Sequence, residues 1–387
     1  MKIAGIIAEY NPFHNGHAHH IAETRRLTGC DYVVVCMGGS YTQRGEAACL
    51  DKWIRARAAL SCGADAVFEL PALWAVRTAD VFARGGAAVL GGLGCDVLSF
   101  GSEENNPALL ERLAALRRSE PAQLSAAIQA GLDQGKSHAR ARGEALAEYL
   151  GMDAEKLNAP NLTLGAEYIR AMQDLSLKME PCIVQRIGGY HDGSTEAFAS
   201  ASAIRAAVRR GETPANSVPE ILRDALPKIA RMHAPDDLLL HTLRCMDEDQ
   251  AAALPDVDEG LEKRLLKCAQ TAATREELLE SMKCKRYTHA RLSRLCAHAL
   301  LGLTRKLADS HPLPEYARLT GLRRDARGLM AELKERSALP IISDPVQLKD
   351  NEIFRLECRA TDLRALQCDD PTERAAGQEF TRKFVSV

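Results

Sequence analysis

The sequence has no Cys-x-x-Cys pair, no apolar run that reaches the ~18 residues a membrane-spanning helix needs, and no excess of positive charge. The first absence, with twelve cysteines scattered singly at irregular spacing, points to reduced thiols rather than to a disulfide framework or a zinc site. The second goes with an N-terminus that lacks a basic region followed by a cleavable apolar core, so a soluble, cytoplasmic protein is expected. The third, a formal net charge of −2, excludes a uniformly basic nucleic-acid binder; any such surface must be local. Internal repeats and low-complexity segments are lacking as well. What is present is 387 residues of 46% hydrophobic content, enough for a substantial core divided between two domains.

The most informative stretch is Ile3-Ala-Gly-Ile-Ile-Ala-Glu-Tyr-Asn-Pro-Phe-His-Asn-Gly-His17, an apolar strand-like run that leads through a Pro-containing turn into a helix. Free backbone N–H groups at a helix N-terminus face anions, the helix dipole favours negative charge, and Gly16 lets backbone come close. His14 and His17 would sit over the same phosphates and donate hydrogen bonds as charge grows on the α-phosphate. Helix capping is the bland alternative for the pair. A metal site is disfavoured, because no Cys or carboxylate stands nearby at zinc-ligand spacing. The pattern His-x-Gly-His in this strand-to-helix context resembles that of the nucleotidyltransferase superfamily, whose members transfer AMP or CMP onto a substrate. His19 and His20 read as ordinary surface or packing residues.

Strand-like runs at 3–8, 31–37, 64–70, 95–100 and 182–186 alternate with helix-like segments at 51–62, 77–90, 106–118, 121–132, 139–150 and 161–173. Such alternation predicts an α/β fold, with a Rossmann-like parallel sheet covered on both faces and ligands at the carboxyl ends of its strands. Past about residue 212 the alternation stops. Long amphipathic segments at 259–282 and 290–308 and a shorter mixed tail follow, without a Gly-rich phosphate loop. The expected organisation is therefore a nucleotidyltransferase-like ATP-binding domain over 1–212 and a mainly helical, partner-binding domain over 213–387.

Placement at the sheet edge selects further candidates: Gln43 and Arg44 in a Gly-rich loop, Gly101 in Phe100-Gly-Ser-Glu103, Asn161 as a helix N-cap, and Arg186 after the last strand. In the superfamily a Ser/Thr-rich turn ending in Ile-Arg contacts the triphosphate; Ser200, Ser202 and Arg205 match it. Asn161 and Ser202 also read as plain caps, and Arg44 and Arg186 as surface ion-pair partners. In the helical half, Lys283-Cys-Lys-Arg-Tyr-Thr-His-Ala-Arg-Leu-Ser-Arg294 carries Lys285, Arg286, Arg291 and Arg294 with no acid among them, and Tyr287 and His289 could stack an unpaired base. A solvated helix face is the alternative there. Arg323, Arg324 and Arg327 form a weaker basic patch.

Taken together, Asn11-Pro-Phe-His-Asn-Gly-His17, Gln43-Arg-Gly-Glu46, Asp51-Lys-Trp53, Phe100-Gly-Ser-Glu103, Asn161, Arg186-Ile-Gly188, Tyr190-His-Asp192, Lys285-Arg-Tyr-Thr-His-Ala-Arg-Leu292 and Arg359-Ala-Thr-Asp362 resemble the tRNA(Met) cytidine acetate ligases over nearly the whole chain. The resemblance implies activation of acetate by ATP, with Mg2+, to acetyl-adenylate, then acetyl transfer to N4 of the wobble cytidine of elongator tRNA(Met). It implies ATP contacts at Ile7, Ala8, Glu9, Tyr10, Asn11, Pro12, Phe13, His14, Asn15, Gly16, His17, Ala18, His19, His20, Gly101, Asn161, Arg186 and Ile187, to which the residues themselves add Ser202. His14, His17 and Arg205 are the expected catalytic groups. One departure is Leu162, where the family leads one to expect a second Asn. Two rival readings remain: a nucleotidyltransferase that adenylylates or cytidylylates a small phosphorylated metabolite, and a non-catalytic, nucleotide-sensing RNA-binding protein.

Overall fold

The computed structural model describes residues 1–136, 138–157, 159–186, 197–258, 260–284 and 286–387, with backbone only for Ala139 and Arg327. The strands are β1 (Ile3–Ala8), β2 (Tyr32–Gly38), β3 (Ala66–Leu70), β4 (Val97–Ser102), β5 (Glu180–Gln185), β6 (Ala317–Leu322), β7 (Ile341–Ile342) and β8 (Val385–Ser386). They form one sheet in the order β5-β4-β1-β2-β3-β6-β7, with β8 paired to β6. The first five are mutually parallel. This is the α/β, Rossmann-like arrangement expected from the alternation, and the strand order reverses between β1 and β4. At such a switch point the loops diverge, opening a crevice beyond the carboxyl ends of the two strands.

The apolar runs are continuous because both faces of the sheet are covered. Along β1, Ile3 and Ile7 enter one core while Ala4 and Ile6 enter the other. Along β2, Val34 and Cys36 share the first face, and Val33, Val35 and Met37 the second. That period of two is the strand's own geometry.

The division at residue 212 does not match the cores. An independent helical core runs only from Leu239 to Ala299. Beyond it the chain returns to the sheet: β6 pairs antiparallel with β3, and the helix Glu352–Leu366 delivers Ile353, Phe354, Leu356, Ala360 and Leu363 to the first core. The helical unit is thus an excursion from the sheet body. The expected helix over 259–282 is two, Leu261–Thr271 and Arg275–Met282; Thr274 caps the second by accepting from the Glu277 N–H at 3.1 Å. Likewise His289–Leu301 stops at Gly302, which has φ 62, and Thr304 caps Arg305–Ser310.

A cluster of buried charge joins the returning segment to the sheet. Lys52 binds Glu69 and Glu379, and Arg318 on β6 binds the same two carboxylates. Glu357 lies beside them and accepts the Ala72 N–H. Burial first, then the neighbouring Glu69, pushes the Glu357 carboxyl well above the ordinary carboxylate range. Two cations and two carboxylates balance once Glu357 keeps its proton.

Candidate active site

The helix Asn15–Thr28 starts directly beyond β1, and His14 is its N-cap. The Gly16 N–H donates to His14 Nδ1 at 3.1 Å, and the His14 N–H donates to His17 Nδ1 at 3.2 Å, a reciprocal capping box made of two imidazoles. Their rings stack with centroids 3.7 Å apart. A Cβ at residue 16 would lie 2.9 Å from His14 Cε1, so the folded-back ring requires glycine there. Because both Nδ1 atoms accept from backbone, the neutral tautomer carries its hydrogen on Nε2 in each ring. Capping and phosphate donation are therefore compatible: one nitrogen serves the helix, and the other keeps a donor.

Electrostatics keep the rings neutral in the free site. Burial, then the charge of Arg186, lowers His14 to about 3, and burial followed by its neighbours takes His17 well below the usual histidine value. His20 falls to about 4 for the same first cause. The unfolded chain takes up protons near the ordinary histidine value of about 6.5, where the folded one does not. Falling pH therefore stabilises the unfolded state at these positions, and their contribution to stability declines below pH 6.5. Glu9 and Glu357, whose carboxyls are pushed up by burial, act in the opposite sense. The His20→Asn variant should consequently lose less stability between pH 7 and pH 5 than the parent chain, measured by urea midpoints; an equal loss would mean that His20 titrates freely in the fold.

The cavity in front of these rings measures about 290 Å3. Ile7, Ala8, Glu9, Tyr10, Asn11, His14, Gly16, His17, His19, His20, Gly101, Asn161, Arg186, Ser202 and Arg205 line it, together with Gln43 and Arg44. The buried Gln43 Nε2 and Tyr10 Oη have no hydrogen-bond partner among the described residues. Arg186, Arg205 and Arg44 bring positive charge to the same wall, where a triphosphate must be neutralised. Phe82, Phe100, Leu164 and Tyr168 supply an apolar side for a base.

Several expected contacts lie elsewhere. Pro12, Phe13, Asn15 and Ala18 do not line the cavity: Phe13 is fully buried in the second core, Ala18 packs on that core, and Pro12 belongs to the turn after a cis Asn11–Pro12 peptide. Asn15 instead donates to the carbonyls of Ala197 and Asn216, at 2.9 and 2.8 Å, and ties down the chain on both sides of the helix Ala201–Arg209. His20 Nε2 meets Ser99 Oγ at 3.0 Å, which ties the ring to β4. Asn161 is not an N-cap; the helix Pro160–Asp174 is capped at Ala159, and Asn161 donates to Glu103 Oε1 at 2.5 Å. Glu103 Oε2 also accepts the Leu162 N–H at 3.0 Å, while the Leu162 side chain is fully buried in the first core. A polar residue at 162 would face that core and not the cavity. Ser200, not Ser202, caps the helix Ala201–Arg209; Ser202 Oγ accepts from Arg205 Nη2 at 3.2 Å. Ile187 and Lys285 lie outside the described residues.

The basic segment is also redistributed. Arg291 reaches the Asp256 carbonyl at 2.8 Å and the Asp258 carboxylate, with its guanidinium over the Tyr287 ring. Arg294 is largely buried beside Asp256. Both are committed to the loop before the helix Leu261–Thr271, whereas Arg286 is exposed.

Sequence reasoning missed Arg55. It is fully buried, and its guanidinium donates to the carbonyls of Glu9, Gly38, Gly39 and Leu50, bracing the carboxyl ends of β1 and β2 where the site opens. No local signal marks it, since its partners are backbone carbonyls. Also missed was the seating of the Gly45 turn. Gly45 has φ 73, and a Cβ there would lie 2.5 Å from the Ser293 carbonyl of the helix His289–Leu301. Ser293 Oγ donates to the Arg44 carbonyl and accepts from Arg275. The Gly-rich loop after β2 is thereby fastened to the helical unit.

A switch-point cleft, a histidine-capped helix and convergent arginines define a nucleotidyltransferase of the His-x-Gly-His type, and the family model described as HIGH Nucleotidyl Transferase matches residues 1–379. A tRNA(Met) cytidine acetate ligase of Acetivibrio thermocellus is 34% identical over 418 residues, covering 100% of both chains, and another from Geobacillus sp. is 34% identical over 375 residues, covering 93% of each. The crystal structure of Thermotoga maritima TmcAL bound with alpha-thio ATP superposes with a TM-score of 0.88 at 30% identity over 100% of both chains. The chain belongs to the tRNA(Met) cytidine acetate ligase family.

Proposed function

We propose that this chain joins acetate to ATP, forming acetyl-adenylate and pyrophosphate, and then transfers the acetyl group to N4 of the wobble cytidine of elongator tRNA(Met), giving N4-acetylcytidine. The observation that carries this reading is the stacked, neutral His14–His17 pair with both Nε2 donors left over at a helix N-terminus. Acetate is a poor electrophile, and adenylation gives its carbonyl a leaving group. A carboxylate nucleophile is already ionised at neutral pH and requires no base. The site need only align it with the α-phosphorus and stabilise the charge that develops as pyrophosphate departs. His14 and His17 are assigned to the α-phosphate, and Arg205 and Ser202 to the leaving phosphates.

Arg205 donates to the Asn11 carbonyl and to Ser202, so its guanidinium is already aimed. Mg2+ is proposed to arrive as the counter-ion of the triphosphate: among the described residues no group of three His, Cys, Asp or Glu side chains could hold a metal by itself. Arg286 remains for contact with RNA, while Arg291 and Arg294 are assigned to holding the helical unit together. No helix among the described residues is long and apolar enough to cross a membrane. A tRNA substrate supports a cytoplasmic location.

The test separates the rival readings. With ATP and acetate but no RNA, the protein should exchange labelled pyrophosphate into ATP; with tRNA added, nucleoside analysis should show N4-acetylcytidine. Exchange indifferent to acetate but driven by a phosphorylated metabolite would establish the small-molecule rival. ATP binding without any exchange would establish the sensor.

A further inference from the structure

A second cavity, of about 570 Å3, lies beside the first, between the Tyr41–Cys49 loop, the helix Ala201–Arg209 and the helical unit. Its walls include the apolar Met232, Leu279 and Leu300 and Tyr41, with charge of both signs from Arg209, Arg275, Asp236 and Glu276. The two cavities have three residues in common: Asn11, Glu46 and Arg205. Asn11 and Arg205 are engaged with one another, and Asn11 Oδ1 accepts the Cys49 N–H at 2.7 Å. Glu46 differs. Its carbonyl is held by the Thr42 N–H at 2.8 Å and the Thr42 hydroxyl at 3.2 Å, and the preceding Gly45 is wedged against the helix His289–Leu301. The backbone is thus fixed on both sides, while the carboxylate makes no hydrogen bond or ion pair among the described residues.

We infer that the second cavity is the acceptor subsite, which receives a cytosine swung out of a single-stranded RNA loop, and that Glu46 takes the proton its exocyclic amine must release. The inference rests on the acetate ligase reading. A target base has to leave its stack to meet a buried electrophile, and a slot that combines apolar side chains and an aromatic ring with hydrogen-bonding groups suits a polar base such as cytosine. A cavity of this size falls in the range that encloses small organic ligands, roughly 300 to 1,000 Å3. A carboxylate is the matching acceptor for the N4 amine.

The chemistry balances. The N4 lone pair attacks the acetyl carbonyl carbon and an N–C bond forms. The bond from that carbon to the phosphate oxygen breaks, and AMP leaves with the electron pair. The proton left on N4 passes to the Glu46 carboxylate. The amine's lone pair is delocalised into the ring, so a proton acceptor at hand as the bond forms is worth roughly 10²- to 10⁴-fold in rate.

The experiment compares two partial reactions in Glu46→Gln, Glu46→Asp and Met232→Trp. One is acetate-dependent pyrophosphate exchange without RNA; the other is single-turnover transfer from preformed, enzyme-bound acetyl-adenylate to tRNA. In Glu46→Gln, transfer should fall about a hundredfold more than exchange, with tRNA affinity near that of the parent chain and part of the loss recovered in Glu46→Asp. Met232→Trp fills the cavity and should likewise depress transfer more than exchange. Equal losses in both reactions, or normal transfer in Glu46→Gln, would overturn the role of Glu46; normal transfer in Met232→Trp would overturn the subsite. Absence of acetate-dependent exchange in the parent chain would instead refute the ligase reading itself.

Discussion

Alanine in place of His17 should slow formation of acetyl-adenylate about a hundredfold, equivalent to roughly 3 kcal/mol, and weaken ATP binding far less. The asymmetry follows from when the hydrogen bond matters: a donor aimed at the α-phosphate contributes most as negative charge accumulates there during attack by acetate. His17 also closes the cap by accepting the His14 N–H, so the same change removes a helix-capping interaction worth about 1 kcal/mol. His17→Gln distinguishes the two roles. Glutamine at the third helical position is an ordinary partner in a capping box and should restore the melting temperature without restoring the rate. Single-turnover adenylation, ATP affinity and thermal melting, measured on both variants, give the answer. A rate that follows stability would reduce His17 to a scaffold residue.

Methionine in place of Lys52 should destabilise the fold by about 3 to 5 kcal/mol. Lys52 is fully buried and pairs with Glu69 and Glu379; its removal leaves those two carboxylates to Arg318 alone, with Glu357 adjacent. Burial opposes ionisation of Glu69, but the charges of Lys52 and Arg318 outweigh it and hold its carboxyl below the ordinary range. A carboxyl so depressed adds stability above its unfolded value and loses that contribution as the pH falls through the lower, folded one. Adding Glu379→Gln to Lys52→Met should recover part of the loss, because the buried charges then balance again. Guanidinium unfolding of the single and double variants tests this. A double variant no more stable than the single one would assign the loss to packing.

The parallel sheet and its switch point were legible because fully covered strands read as unbroken apolar runs, and because the helices between them carry their own start signals. β6 was not. Its Arg318 and Thr320 are buried polar residues, matched by Glu69 and the Val67 carbonyl far away in sequence. The same cause hid Lys52 and Arg55, which in a helix such as Lys52–Ser61 look like a solvated face. Arg291 and Arg294 erred in the opposite direction: they looked like free cations, because Asp256 and Asp258, which hold them, stand beyond the intervening helices. The histidines were legible as residues but not as a device. Nothing in the letters says that one nitrogen of each ring holds the helix.

The return of the chain to the sheet has a consequence for biosynthesis. On a ribosome the first five strands emerge early, yet β3 has no partner on its outer edge until β6 is made, and the Glu379 carboxylate reaches Lys52 and Arg318 only when nearly the whole polypeptide is out. Until then two buried cations lack one of their counter-charges, and the nascent sheet presents an open edge. A fragment ending near residue 212 should therefore be a poor expression product, and translation stalled before the last helix should leave a chain for chaperones rather than a working half-enzyme.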